Sequence, residues 1–94
     1  MNKKEIAAFF DRMAPEWDAE MIKSDEKINF ILDAAGVKEN SVVLDVACGT
    51  GVMFPYYLAR GAERVIGVDI SSEMARIAAS KMHDPRVEVI CGDV

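Results

Sequence analysis

The chain has 94 residues, 51% of them apolar, and carries a net charge of −5 from 16 acidic and 11 basic residues. One domain at most fits this length, and at this size folding buries only roughly 60–65% of the unfolded surface, so a self-standing core is marginal. The apolar share excludes a disordered chain, the want of any Lys/Arg cluster argues against a nucleic-acid-binding face, and no apolar run reaches the ~18 residues of a membrane span.

The first residues, Met1-Asn2-Lys3-Lys4-Glu5, are not followed by a signal-like apolar core, so the expected location is cytoplasmic. Cys48 and Cys91 form no CxxC and no Cys/His set, and His83 stands alone. Two reduced cysteines, a surface histidine and no metal site are therefore expected.

In chain order, Ile6, Phe9, Phe10 and Met13 recur at helical spacing, with charged residues between them, and predict an amphipathic helix over 4–13. Ala14-Pro15 ends it, because proline disfavours helix in the residue before it. Ser24 is an N-cap candidate, with Asp25 and Glu26 suiting the positive end of the next helix. Ile28, Ile31, Leu32 and Ala35 then share one face, and Gly36 closes the helix in a left-handed conformation. A helix over 52–60 requires Pro55 to lie in its first turn, with Gly61 as its stop. Arg64-Val65-Ile66-Gly67-Val68-Asp69 reads as a buried strand ending in an acid. Ser71 or Ser72 caps a helix that carries Met74, Ile77, Ala78 and Lys81 on one side. Asp84-Pro85 is a turn signal, and residues 86–90 form the last strand, leading into Cys91-Gly92-Asp93-Val94.

The stretch around which these elements are organised is Val42-Val43-Leu44-Asp45-Val46-Ala47-Cys48-Gly49-Thr50-Gly51. Its apolar run predicts a strand covered by helices on both faces, as in parallel sheets. Gly49 and Gly51 allow a sharp turn and a close approach of backbone to ligand. Such turns lie outside the carboxyl ends of parallel strands, where open α/β sheets bind ligands. Strand–helix–strand–helix–strand makes two βαβ units, hence one half of a Rossmann-like, doubly wound α/β sheet. Asp69, about 20 residues beyond the turn, stands where dinucleotide-type folds set an acid on ribose hydroxyls.

Asp45-Val46-Ala47-Cys48-Gly49-Thr50-Gly51 resembles the first motif of the class I S-adenosylmethionine (SAM)-dependent methyltransferases, acid-x-Gly-x-Gly-x-Gly, with Ala47 in place of the first glycine. That variant is common in the ubiquinone and menaquinone biosynthesis branch. Phe9 to Asp18 is similar to the N-terminal segment of the same branch, which ends in an aromatic-Asp pair, here Trp17-Asp18, and folds over the cofactor. The resemblance implies cofactor-binding roles residue by residue. The backbone at Ala47, Gly49 and Gly51 lies along the methionine part of SAM, and Asp45 serves its ammonium group. Asp69 takes the ribose hydroxyls, Ile70 packs on the adenine, Asp93 accepts from the adenine amino group, and Trp17 covers the site. It names no catalytic residue.

The rival is an NAD- or FAD-binding domain. Counting G-x-G-x-x-G from Gly49 puts Phe54 at the third glycine, which close helix–strand packing needs. Residues 1–23 are thus expected as an amphipathic cap and 24–94 as a SAM-binding half-domain. The implied activity is methyl transfer to a small-molecule acceptor; the alternative is a non-catalytic SAM-fold module that self-associates or binds a partner. The resemblance further implies a sheet order of 3-2-1 and a chain that is a fragment of the seven-stranded family fold. The uncovered edge of the first strand is then expected to drive self-association as a dimer.

Overall fold

In a computed structural model, residues 2–20 and 24–93 are described. Five helices, α1 (Lys3–Met13), α2 (Trp17–Glu20), α3 (Asp25–Ala35), α4 (Phe54–Ala59) and α5 (Ser72–Lys81), accompany three strands, β1 (Val42–Val46), β2 (Arg64–Asp69) and β3 (Val87–Cys91). The strands are parallel in the order β1-β2-β3, which is the expected 3-2-1 half-sheet. Val43 pairs with Val65 and Val65 with Val87, while Asp45 aligns with Gly67 and Gly67 with Val89.

The local signals act as their chemistry requires. Ser24 Oγ accepts from Lys27 N at 3.3 Å, and Ser71 Oγ accepts from Met74 N at 3.1 Å, so both serines cap. Gly36 ends α3 at φ +76°, and Pro55 lies in the first turn of α4. The first helix begins one residue early because Asn2 Oδ1 accepts from Glu5 N at 2.9 Å. Pro15 stops the α-helix at Met13, and the chain continues through a 3₁₀ turn, Ala14–Glu16, into α2.

The core lies on one face of the sheet. Leu32 of α3, Phe54 and Tyr57 of α4 and Ala78 of α5 pack with Val65, Ala62 and Cys48, and Val43, Val87 and Val89 border them. Phe54 is the central piece. A Cβ on Gly67 would stand 2.5 Å from its Cζ, and one on Gly51 would stand 2.7 Å from its Cδ2. Glycines in the strand and in the turn therefore make room for the ring. This also answers the rival fingerprint: close helix–strand packing is achieved with a phenylalanine against two glycines rather than with a third glycine in the motif.

The other face corrects the expectation of a doubly covered strand. Val42, Leu44 and Val46 are 64%, 58% and 54% exposed, and Ile90 on the same face is 43% exposed. The described helices of the core lie on the opposite face, and α1 packs on α5 rather than across the sheet. Ile31 and Ala35 of α3 are likewise exposed, so only Leu32 and, in part, Ile28 of the predicted stripe reach the core. Among the described residues, no helix is long and apolar enough to cross a membrane.

Candidate functional site

The turn after β1 is built from left-handed backbone. Ala47, Gly49 and Gly51 have φ of +59°, +59° and +77°, an alternation that folds the chain sharply back toward α4. Cys48 N donates to Val68 O at 3.0 Å, which ties the turn to the end of β2. Ala47 is the only non-glycine of the three, and the left-handed region costs an L-residue roughly 1–2 kcal/mol.

Asp69, 7% exposed, is the hub of the site. Its Oδ2 accepts from Gly49 N at 2.8 Å and its Oδ1 from Ser71 N at 2.9 Å, so one carboxylate joins the turns that follow β1 and β2. Gly92 N donates to Asp69 O at 2.9 Å and brings in the turn after β3. These three turns meet at the carboxyl ends of the strands, where open α/β sheets place ligands.

A cavity of about 630 Å³ opens at this junction, within the range of small-molecule sites. Val46, Ala47 and Gly49 form one wall, Val68, Asp69 and Ile70 the next, and Gly92 and Asp93 the far end. The N-terminal segment roofs it with Ile6, Phe10 and Trp17, while Met74 of α5 closes the side. Phe10 and Trp17 meet edge to face with ring centroids 6.1 Å apart, and Trp17 Nε1 lies within contact range of a Cβ placed on Gly49. Lys3 Nζ pairs with Asp93 Oδ2 at the cavity's end, and that pairing raises the pKa of the lysine.

Six of the eight expected residues, Trp17, Ala47, Gly49, Asp69, Ile70 and Asp93, thus line one cavity. Gly51 does not. It is buried against Phe54 and Ala78, so its missing side chain serves packing at this position. Asp45 also stays out of the cavity wall. Burial raises the pKa of its carboxyl, the Tyr57 hydroxyl opposes the rise, and the Asp69 charge adds to it. Its Oδ2 is buried with no hydrogen-bond partner among the described residues. Cys48 beside it is pushed up to about 12, first by burial and then by the Asp45 and Asp69 charges, so it is an inert thiol.

The residue pattern assigned Asp11 no role at the site and named Asp18 only as the end of the N-terminal segment. Asp11 Oδ1 accepts from Ser71 Oγ at 2.5 Å and from Glu73 N at 3.1 Å, which lowers the pKa of its carboxyl. Asp18 Oδ1 accepts from Thr50 Oγ1 at 2.5 Å, and Asp18 Oδ2 pairs with Lys81 Nζ at 2.6 Å. Ile6 and Phe10 were legible as an apolar stripe, but their spacing cannot say that the stripe faces a cavity.

A family model described as a methyltransferase domain matches residues 43–94, more than half of the chain. The chain is 35% identical over 81 residues to the malonyl-[acyl-carrier protein] O-methyltransferase of Pseudescherichia vulneris, an alignment covering 86% of this chain and 32% of that protein. It is 33% identical over 94 residues to the demethylmenaquinone methyltransferase of Renibacterium salmoninarum, covering 95% of this chain and 38% of that one. A SAM dependent methyltransferase structure from Aquifex aeolicus matches with a TM-score of 0.64 at 26% identity, over 99% of this chain and 48% of that one. The chain therefore spans about a third of the length of these curated relatives. With the glycine turn, the acid that ends β2 and the turn after β3 all inside the matched stretch, the chain belongs to the methyltransferase domain family, in its class I S-adenosylmethionine-dependent form.

Proposed function

We propose that this chain is the cofactor-binding portion of a SAM-dependent methyltransferase acting on a small-molecule acceptor, with residues 1–23 as a cap on a half-domain formed by 24–94. The observation that carries the reading is the Asp69 carboxylate, buried, joined to the Gly49 amide, and set in the wall of a cavity of cofactor size. The donor set fits the group. Asp69 retains lone pairs for ribose hydroxyls beyond the two amides it already accepts from. Ile70 offers an apolar wall for a base, Asp93 an acceptor for its amino group, and the Ala47 and Gly49 backbone a bed for the amino-acid end. Asp45 lies outside the cavity wall, so its part at the amino-acid end would run through the glycine turn it precedes and not through direct contact.

When bound, SAM supplies a methyl group on a positively charged sulfur. The chain's own contribution is then orientation and exclusion of water: Trp17 and Phe10 roof the cavity, and Asp69 fixes the ribose. The negative overall charge and the apolar roof favour a small acceptor over a nucleic acid. A cytoplasmic location accords with the same composition. Titration calorimetry with S-adenosylhomocysteine tests the reading; binding is expected, and tighter binding of NADH overturns it.

We further propose self-association through the β1 edge. Val42, Leu44 and Val46 offer an exposed apolar row beside an unpaired strand edge, the situation that templates pairing with another chain. Light scattering at low micromolar concentration should find a dimer; a well-behaved monomer removes the proposal.

A further inference from the structure

The N-terminal segment is tied to all three turns of the site: Lys3 pairs with Asp93 after β3, and at the other two turns a carboxylate of the segment receives the hydrogen bonds. Asp11 of α1 takes the Ser71 hydroxyl and the Glu73 amide. The Ser71 amide in turn holds Asp69 Oδ1, so Asp11 is one residue removed from the hub. Asp18 takes the Thr50 hydroxyl in the middle of the glycine turn, at 2.5 Å, while its other oxygen holds Lys81. Neither aspartate lines the cavity.

Both hydroxyls are fully buried: Thr50 and Ser71 are each 0% exposed. With its carboxylate removed, each is left without water to replace the lost acceptor, and the cost falls on the turn. The segment has little apolar anchorage of its own, since α1 contains no buried residue and only Ala14 of the following 3₁₀ turn is buried. Polar ties therefore decide where the roof sits and how firmly the two turns are held beneath it.

We infer that Asp11 and Asp18 are positioning residues of the cofactor site with divided tasks. Asp11 fixes the turn after β2, which carries Asp69 and Ile70 and serves the adenosine end. Asp18 fixes the glycine turn, which serves the amino-acid end. The inference rests on the cofactor reading above and adds to it which tie governs which half of the ligand.

Two ligands separate the halves. S-adenosylhomocysteine carries both ends, whereas 5′-methylthioadenosine lacks the amino acid. Thr50→Val deletes the donor to Asp18 while sparing the Asp18–Lys81 pair. It should weaken S-adenosylhomocysteine about five- to tenfold, the scale of one buried hydrogen bond, and leave methylthioadenosine within about twofold. Thr50→Ser should restore binding. Asp11→Ala should weaken both ligands by the same factor, and Asp11→Asn, which keeps an acceptor oxygen, should restore both. Where a variant does not fold in a thermal melt, Asp18→Ala or Asp11→Leu repeats its arm. Equal losses of both ligands in Thr50→Val, no loss at all in it, or unchanged binding in Asp11→Ala overturn the inference while leaving the cofactor assignment standing. Failure of the unaltered chain to bind S-adenosylhomocysteine overturns both.

Discussion

The two faces of the sheet are made of similar residues and meet different fates. On one, Val43, Val65, Val87 and Val89 lie under three helices around the Phe54 ring. On the other, Val42, Leu44 and Val46 stand in the open, and only the carboxyl ends of β1 and β2 are used, as walls of the cavity. The covered face sets the geometry of the glycine turn through Phe54, Gly51 and Gly67. The open face supplies apolar wall to the cavity and carries an exposed apolar row. Packing thus holds one face and leaves the other open, and Asp69, at the end of β2, joins the turns where the two meet.

The largest effect should come from the covered face. Phe54→Ala removes the ring that Gly51 and Gly67 accommodate, at a cost of about 3–5 kcal/mol. That is a large share of the stability of a small domain. Urea denaturation should find the variant unfolded or nearly so; a loss below about 1 kcal/mol would break the division between the faces.

Next stands the joint itself. Asp69→Ala should weaken S-adenosylhomocysteine binding by about 1–3 kcal/mol, the scale of hydrogen bonds to a charged group. It should also lower the melting temperature, because the Gly49 and Ser71 amides lose their acceptor. Unchanged affinity in a folded variant, read by calorimetry, would take Asp69 out of the site.

Ala47→Gly should stabilise the chain by about 1 kcal/mol, since the residue is exposed and holds φ +59° with a Cβ. Differential scanning calorimetry reads this as a raised melting temperature.

Asp45 gives a smaller, pH-dependent effect. Burial raises its folded pKa above the ordinary carboxyl value, so between the two values the folded chain holds a proton that the unfolded chain has released. The contribution of Asp45 to stability is therefore greatest below the ordinary value and declines as pH rises through the raised one, opposite in sign to that of Asp11, whose pKa is lowered. Asp45→Asn should flatten that slope in melts taken across the acidic range, and a slope unchanged in the variant assigns the proton elsewhere.

The smallest effect on folding should come from the open face. Leu44→Thr should change stability by no more than about 0.5 kcal/mol, as for other exposed positions, while lowering association in sedimentation velocity. A loss comparable to that of Phe54→Ala would mean that the two faces do not differ.

The features legible along the chain are local in origin. The bounds of β2, the Ser24 and Ser71 caps, the left-handed Gly36 and the place of Pro55 in a first turn each depend on residues within about four positions, whose chemistry is fixed by backbone geometry alone. The sheet order and six residues of the cavity wall followed from the resemblance, because the motif brings its turn and its acids together wherever the fold forms. Packing in three dimensions was needed to show that Gly51 and Gly67 accommodate the Phe54 ring, that Val42, Leu44 and Val46 are exposed, and that Asp11 and Asp18 reach the site's turns from 60 and 32 residues away. Contacts between distant segments follow from how helices and strands pack, and no spacing along the chain encodes them.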